Sequence, residues 1–70
     1  MINKVDLYVD GACKGNPGPG GWGCVIMQED HIIQELYGAQ NNTTNNRMEL
    51  KSAIEGLRAI KEKSQVALYT

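Results

Sequence analysis

Along residues 4–10, K-V-D-L-Y-V-D, apolar and polar positions alternate, with Val5, Leu7 and Val9 on one side and Asp6, Tyr8 and Asp10 on the other. A period of two over seven residues predicts a strand with two distinct faces. Residues 11–23 hold most of the chain's eight glycines and both prolines, so K-G-N-P-G-P-G at 14–20 predicts a loop. Residues 22–28 are apolar and contain Val25 and Ile26. After the polar turn Q-E-D-H at 28–31, strand character resumes over 32–37, which predicts an antiparallel hairpin.

The pattern then changes period. Residues 41–46 are polar and rich in N-cap types, and from 48 to 63 Leu50, Ala53, Ile54, Leu57 and Ile60 recur at helical spacing. This predicts a helix of about four turns with that stripe against the sheet. Met48, Ser52 and Ala59 fall on the opposite side as a small, weakly polar patch suited to receive another helix. Residues 65–70, Q-V-A-L-Y-T, read as a strand buried on both faces. The strand–helix–strand order places it parallel to the first strand, with the Trp22 and Ile32 strands as that strand's antiparallel neighbours.

Length and composition narrow the class. Seventy residues allow one small domain, and a chain this short buries only about 60% of its unfolded surface. With 41% hydrophobic and 21% charged residues it is neither disordered nor collagen-like. A formal net charge of -1 decides nothing about nucleic acid. No apolar run approaches the roughly 18 residues that span a bilayer, and no leader pattern opens the chain, so a cytoplasmic protein with no membrane partner is expected. Cys13 and Cys24 lack a C-x-x-C or Cys/His pattern and read as reduced thiols. His31, between Asp30 and Ile32, reads as a surface residue.

Two carboxylates stand out. Asp10 ends the predicted first strand, where an open α/β sheet forms its ligand crevice, although an Asp also simply begins a turn before Gly11. Glu49, with Asn46 as N-cap, would sit at N3 and cap the helix; yet at about 100° per residue it lies on the edge of the sheet-facing stripe. Together they suit a hard divalent cation such as Mg2+. The glycines match no phosphate-loop or dinucleotide pattern. Asn16, Asn45 and Asn46 can donate and accept toward base edges and ribose hydroxyls in a shallow minor groove, or serve as turn and cap residues.

D-G-A-C-K-G-N-P-G-P-G-G-W-G at 10–23 and T-T-N-N-R-M-E-L at 43–50 resemble the two signature segments of type 1 ribonuclease H. The resemblance covers the whole chain. It implies a ribonuclease H-like α/β mixed sheet, with three antiparallel strands, a helix and a fourth strand parallel to the first, truncated before the second half. Residues 1–70 would be the amino-terminal part of a single such domain.

The activity implied is an endonuclease cutting the RNA strand of RNA/DNA hybrids with two Mg2+ ions, Mn2+ being the other candidate. Asp10 and Glu49 would be catalytic metal ligands, joined by the Gly11 carbonyl. Gly11, Cys13 and Asn16 would line the RNA, Asn45 and Asn46 would read the minor groove, and Thr44 would help hold a DNA phosphate. One ion would activate water and the other stabilise the departing 3′ oxygen. In the family the fourth strand runs into a third catalytic aspartate, and the sequence ends at Thr70, so the isolated chain is expected to be inactive. Its expected partners are a hybrid and either the carboxy-terminal remainder of the fold or a second copy. A non-catalytic hybrid-binding module and a self-associating assembly fragment are the alternatives.

Overall fold

The computed structural model describes residues 3–61 and 64–70. Four strands and one helix follow in the order β1 (Asn3–Cys13), β2 (Gly18–Gln28), β3 (His31–Thr43), α1 (Asn45–Ala59) and β4 (Ser64–Tyr69). They form one mixed sheet, β3-β2-β1-β4, with β1 antiparallel to β2, β2 antiparallel to β3, and β1 parallel to β4. The Trp22 strand and the Gln65 strand lie beside β1 as expected. The Ile32 strand does not: β3 pairs with β2, because Glu29 and Asp30 make a two-residue hairpin turn with φ of 51° and 66° that folds β3 back onto its predecessor. Among the described residues no helix is long and apolar enough to cross a membrane.

The glycine-rich stretch is mostly strand. Only residues 14–17 separate β1 from β2, and Lys14 N–H donates to the Pro19 carbonyl at 2.8 Å across that gap. Glycines weaken a strand, but Gly20, Gly21 and Gly23 have ladder partners on both β1 and β3, and those pairings outweigh the entropy cost. Pro19 donates no hydrogen bond, and it falls at the register irregularity between Gly18 and Gly20.

The helix begins before Met48, at Asn45, and ends at Ala59 with Ile60 as its C-cap. Lys63, the expected end, lies outside the described residues. The N-cap is Thr44 rather than Asn46: its Oγ1 accepts from Arg47 N–H at 3.2 Å. Glu49 is therefore past the third helical position, and the capping-box reading of its carboxylate falls.

The helix also presents a different face from the one its apolar stripe predicts. Met48, Ser52 and Gly56 are buried against the sheet, whereas Leu50, Ile54 and Leu57 are 62%, 42% and 50% exposed. Of the expected stripe, Ala53 and Ile60 do pack against the core of Val5, Leu7, Val9, Cys24 and Ile26. The reason is close approach. A Cβ on Gly56 would stand 2.5 Å from Leu7 Cδ1, and one on Gly11 would run into the backbone of Met48 and Glu49. Small residues on both surfaces let the axis sit low, and bulkier Leu and Ile would hold it off. Ser52 tolerates complete burial because its hydroxyl donates to the Glu49 carbonyl at 2.7 Å.

The fourth strand is an edge strand, with Val66 37% and Leu68 48% exposed, so the expectation of burial on both faces fails. One helix covers the middle of the sheet and leaves much of β4 exposed, while Tyr69 stacks on Tyr8 with ring centroids 4.8 Å apart.

Candidate nucleic-acid interface

Two close approaches orient α1 on β1. Its first turns lie against Gly11, and Gly56, near its far end, lies against Leu7. The helix thus runs back along β1 and brings its N-terminus to the end of the strand that carries Asp10 and Gly11. That contact sets the site.

Asp10 is not the last residue of its strand, since β1 continues to Cys13 in the ladder with β2. It is instead just past the β4 ladder, whose last pair is Tyr8↔Tyr69. Its exposed side chain shares the helix-free face with Tyr8, Gly23 and Tyr37 and lines an open groove of about 710 Å3. Glu49, half-buried, lines a separate groove of about 330 Å3 with Asn46, Leu50, Ala53 and Leu68 on the helix side. The two carboxylates come to one corner of the molecule from opposite faces of β1, joined through the Gly11–Glu49 backbone contact.

The residues expected to contact substrate gather more tightly. Asn16 Oδ1, in the β1–β2 loop, accepts from the N–H of Asn45 at 3.3 Å, which ties the loop to the first helical residue. Thr44 uses its hydroxyl oxygen as the cap acceptor, and Asn46 is exposed two positions further on. Cys13 turns its thiol inward, toward the carbonyls of Gly15, Gly18 and Thr43 at 2.6, 3.4 and 3.2 Å. Sequence reasoning missed Thr43: it is buried, and its Oγ1 has no partner among the described residues. Its place in the signature segment marked it no differently from Thr44.

The described residues hold no group of three or more His, Cys, Asp or Glu side chains able to take a metal ion. Asp10 and Glu49 offer two negative charges against the four of two Mg2+ ions, so they fit a part of such a site and do not compose one.

Comparison with known proteins decides the family. The family model described as RNase H matches residues 2–70. The chain belongs to the RNase H family. It is 57% identical over 70 residues to the Ribonuclease H of Pseudomonas entomophila (strain L48), covering 100% of this chain and 47% of that protein. With the Ribonuclease H of Erythrobacter litoralis (strain HTCC2594) the identity is 56% over 69 residues, again 47% of the relative. Among solved RNase H structures, LC11-RNase H1 in complex with RNA/DNA hybrid superimposes with a TM-score of 0.77 at 30% identity, over 96% of this chain and 55% of that one. The amino-terminal RNase H domain of rv2228c from Mycobacterium tuberculosis gives 0.77 at 32% identity, over 94% and 52%. This chain therefore spans about half the length of its RNase H relatives, and the shared half is the four-stranded sheet with its helix.

Proposed function

We propose that this chain supplies the amino-terminal half of an endonuclease that cuts the RNA strand of RNA/DNA hybrids. The observation that carries the reading is the corner where Gly11 meets the Met48–Glu49 backbone, with Asp10 and Glu49 on either side of β1 and the Asn16–Asn45 hydrogen bond close in sequence to both. A solved relative named as an RNA/DNA hybrid complex supports the substrate class.

In this reading the exposed amides of Asn45 and Asn46, with Asn16 held against the helix, present donors and acceptors to a minor groove, whose shape and 2′-hydroxyls distinguish RNA from DNA. The Thr44 hydroxyl, already an acceptor for the helix, keeps its proton to donate to a phosphate. Asp10, Glu49 and the Gly11 carbonyl contribute oxygen ligands for Mg2+ or Mn2+; the remaining negative charge must come from groups outside the described residues. The uncovered faces of α1 and β4 receive the rest of the fold, on this chain's continuation or on another polypeptide.

The test is a binding and cleavage assay on a labelled hybrid. The chain alone should bind hybrid in preference to duplex DNA and make no specific cut in Mg2+. Supplied with the carboxy-terminal half of a relative, it should cleave, and Asp10→Asn or Glu49→Gln should nearly abolish turnover while leaving hybrid bound. Wild-type turnover in either variant would remove that residue from the ligand set. Binding without cleavage in the completed protein would favour a hybrid-binding module.

A further inference from the structure

We infer that Cys13 is a positioning residue, whose thiol holds the β1–β2 loop and the end of β3 in one arrangement so that Asn16 meets the start of α1. The inference rests on the hybrid-binding reading above and gives Cys13 a role inside the fold rather than at the substrate surface.

Three segments converge on the sulfur. The carbonyls of Gly15 and Gly18 belong to the loop and the first residue of β2, and that of Thr43 to the last residue of β3. Cys13 pairs with Gly20 across the β1–β2 ladder, so its thiol reaches β3 over a residue that has no side chain. A Cβ on Gly20 would meet Thr43 Cγ2 at 2.6 Å, the Ala12 carbonyl at 2.8 Å and Met48 Cγ at 3.0 Å. Thr43 and Met48 thus close over Gly20, and the Thr43 carbonyl comes within 3.2 Å of the thiol.

One S–H cannot satisfy three acceptors at once, but it can exchange among them without the loop leaving its place. The consequence falls on the recognition residues. Thr43 directly precedes the N-cap Thr44, and Gly15 directly precedes Asn16, so the sulfur sits between the two strands of chain that must be in register for Asn16 Oδ1 to accept from Asn45. Without the thiol, the exposed Asn16–Asn45 hydrogen bond, long at 3.3 Å, and the Gly18↔Thr43 pair at the end of the β2–β3 ladder are left to hold the loop to the start of the helix. Lys14 N–H to Pro19 closes the loop on itself but does not tie it to α1.

The experiment uses this chain with Cys13→Ala, which removes the donor, and Cys13→Ser, which keeps one. Nitrogen relaxation should show Gly15 and Asn16 rigid in the wild type and below an order parameter of about 0.6 in Cys13→Ala. Hybrid affinity, read by fluorescence anisotropy, should fall about fivefold to tenfold, the scale of one lost hydrogen bond and the loop order it held. Cys13→Ser should restore most of both. Unchanged loop order in Cys13→Ala, or a Ser variant as loose as the Ala variant, would overturn the inference. Failure of the wild-type chain to bind hybrid would instead overturn the functional reading, while the relaxation result would still decide whether the thiol orders the loop.

Discussion

Gly11 is where strand, helix and candidate chemistry meet, because the space of its missing side chain is filled by the backbone of Met48 and Glu49. Backbone cannot rotate away as a side chain can. Gly11→Ala should therefore push the first turn of α1 off the sheet, at a cost of about 2 kcal/mol or more from overpacking. For a domain of this size that corresponds to a thermal midpoint lower by roughly 8 to 16 °C, measurable by circular dichroism. Cys24 gives a second residue-scale test. It is buried in the ladder between Val9 and Leu36; burial foremost, and then the charge of Glu55, push its thiol above the ordinary value, against a backbone hydrogen bond at Leu36 that lowers it. The folded chain thus holds the proton more tightly than the unfolded one. The resulting stability is complete below the ordinary thiol value of about 8.5 and is lost as pH rises through the folded value. Urea midpoints measured at intervals above about pH 8.5 should fall with pH, and the slope should be shallower in Cys24→Ala. Equal slopes in the two proteins would assign the loss to other groups.

At the scale of elements, the exposed stripe of α1 lies on the same side of the sheet as Val66 and Leu68 of β4, with Leu50 and Leu68 lining one groove. Single exposed apolar residues are common, but five on a helix and its neighbouring strand make a surface that water covers poorly. Replacing Leu57 with Lys should change stability by no more than about 0.5 kcal/mol, since the side chain is already half exposed. It should also reduce association at high concentration, as read by light scattering; a large stability loss would show that Leu57 packs against this chain's own core. Periodicity points to the wrong face of the helix for a physical reason. Hydrophobic periodicity ranks residues by apolar bulk, whereas the contact here was decided by how near the axis could come, which favours Ser52 and Gly56 over Leu50 and Leu57. By contrast, β1 was legible from Lys4 to Asp10, though not in its last three residues: its alternation survives because Val5, Leu7 and Val9 meet one helix and nothing competes with that face.

For the whole molecule, the sequence was legible where a local pattern and its tertiary use agree. The parallel β1–β4 pairing follows from the strand–helix–strand order, whereas the hydrogen bond between Asn16 and Asn45, 29 residues apart, is seen only in the fold. The glycine stretch was not legible, because its strand character comes from neighbours on both sides rather than from its own residues. The alternation of β1 already puts Asp10 on the face away from Val5, Leu7 and Val9, but the contact of Gly11 with the Met48–Glu49 backbone, which brings Glu49 to the same corner, is not readable from either motif. One residue of β2 links three of the sheet's four strands. The chain's single tryptophan, Trp22, pairs with Gly11 on one side and Gly38 on the other, and its indole occupies the space over Gly38 where a side chain would stand, 2.6 Å from that side chain's first carbon. The ring also packs against the core to which β1 contributes Val5, Leu7 and Val9, so it loses cover if either ladder opens, and water then reaches the indole. The emission colour of one fluorophore therefore reports the assembly of β1, β2 and β3 together, without any label, and the folding of the sheet can be followed in the same cuvette as the titration of a hybrid.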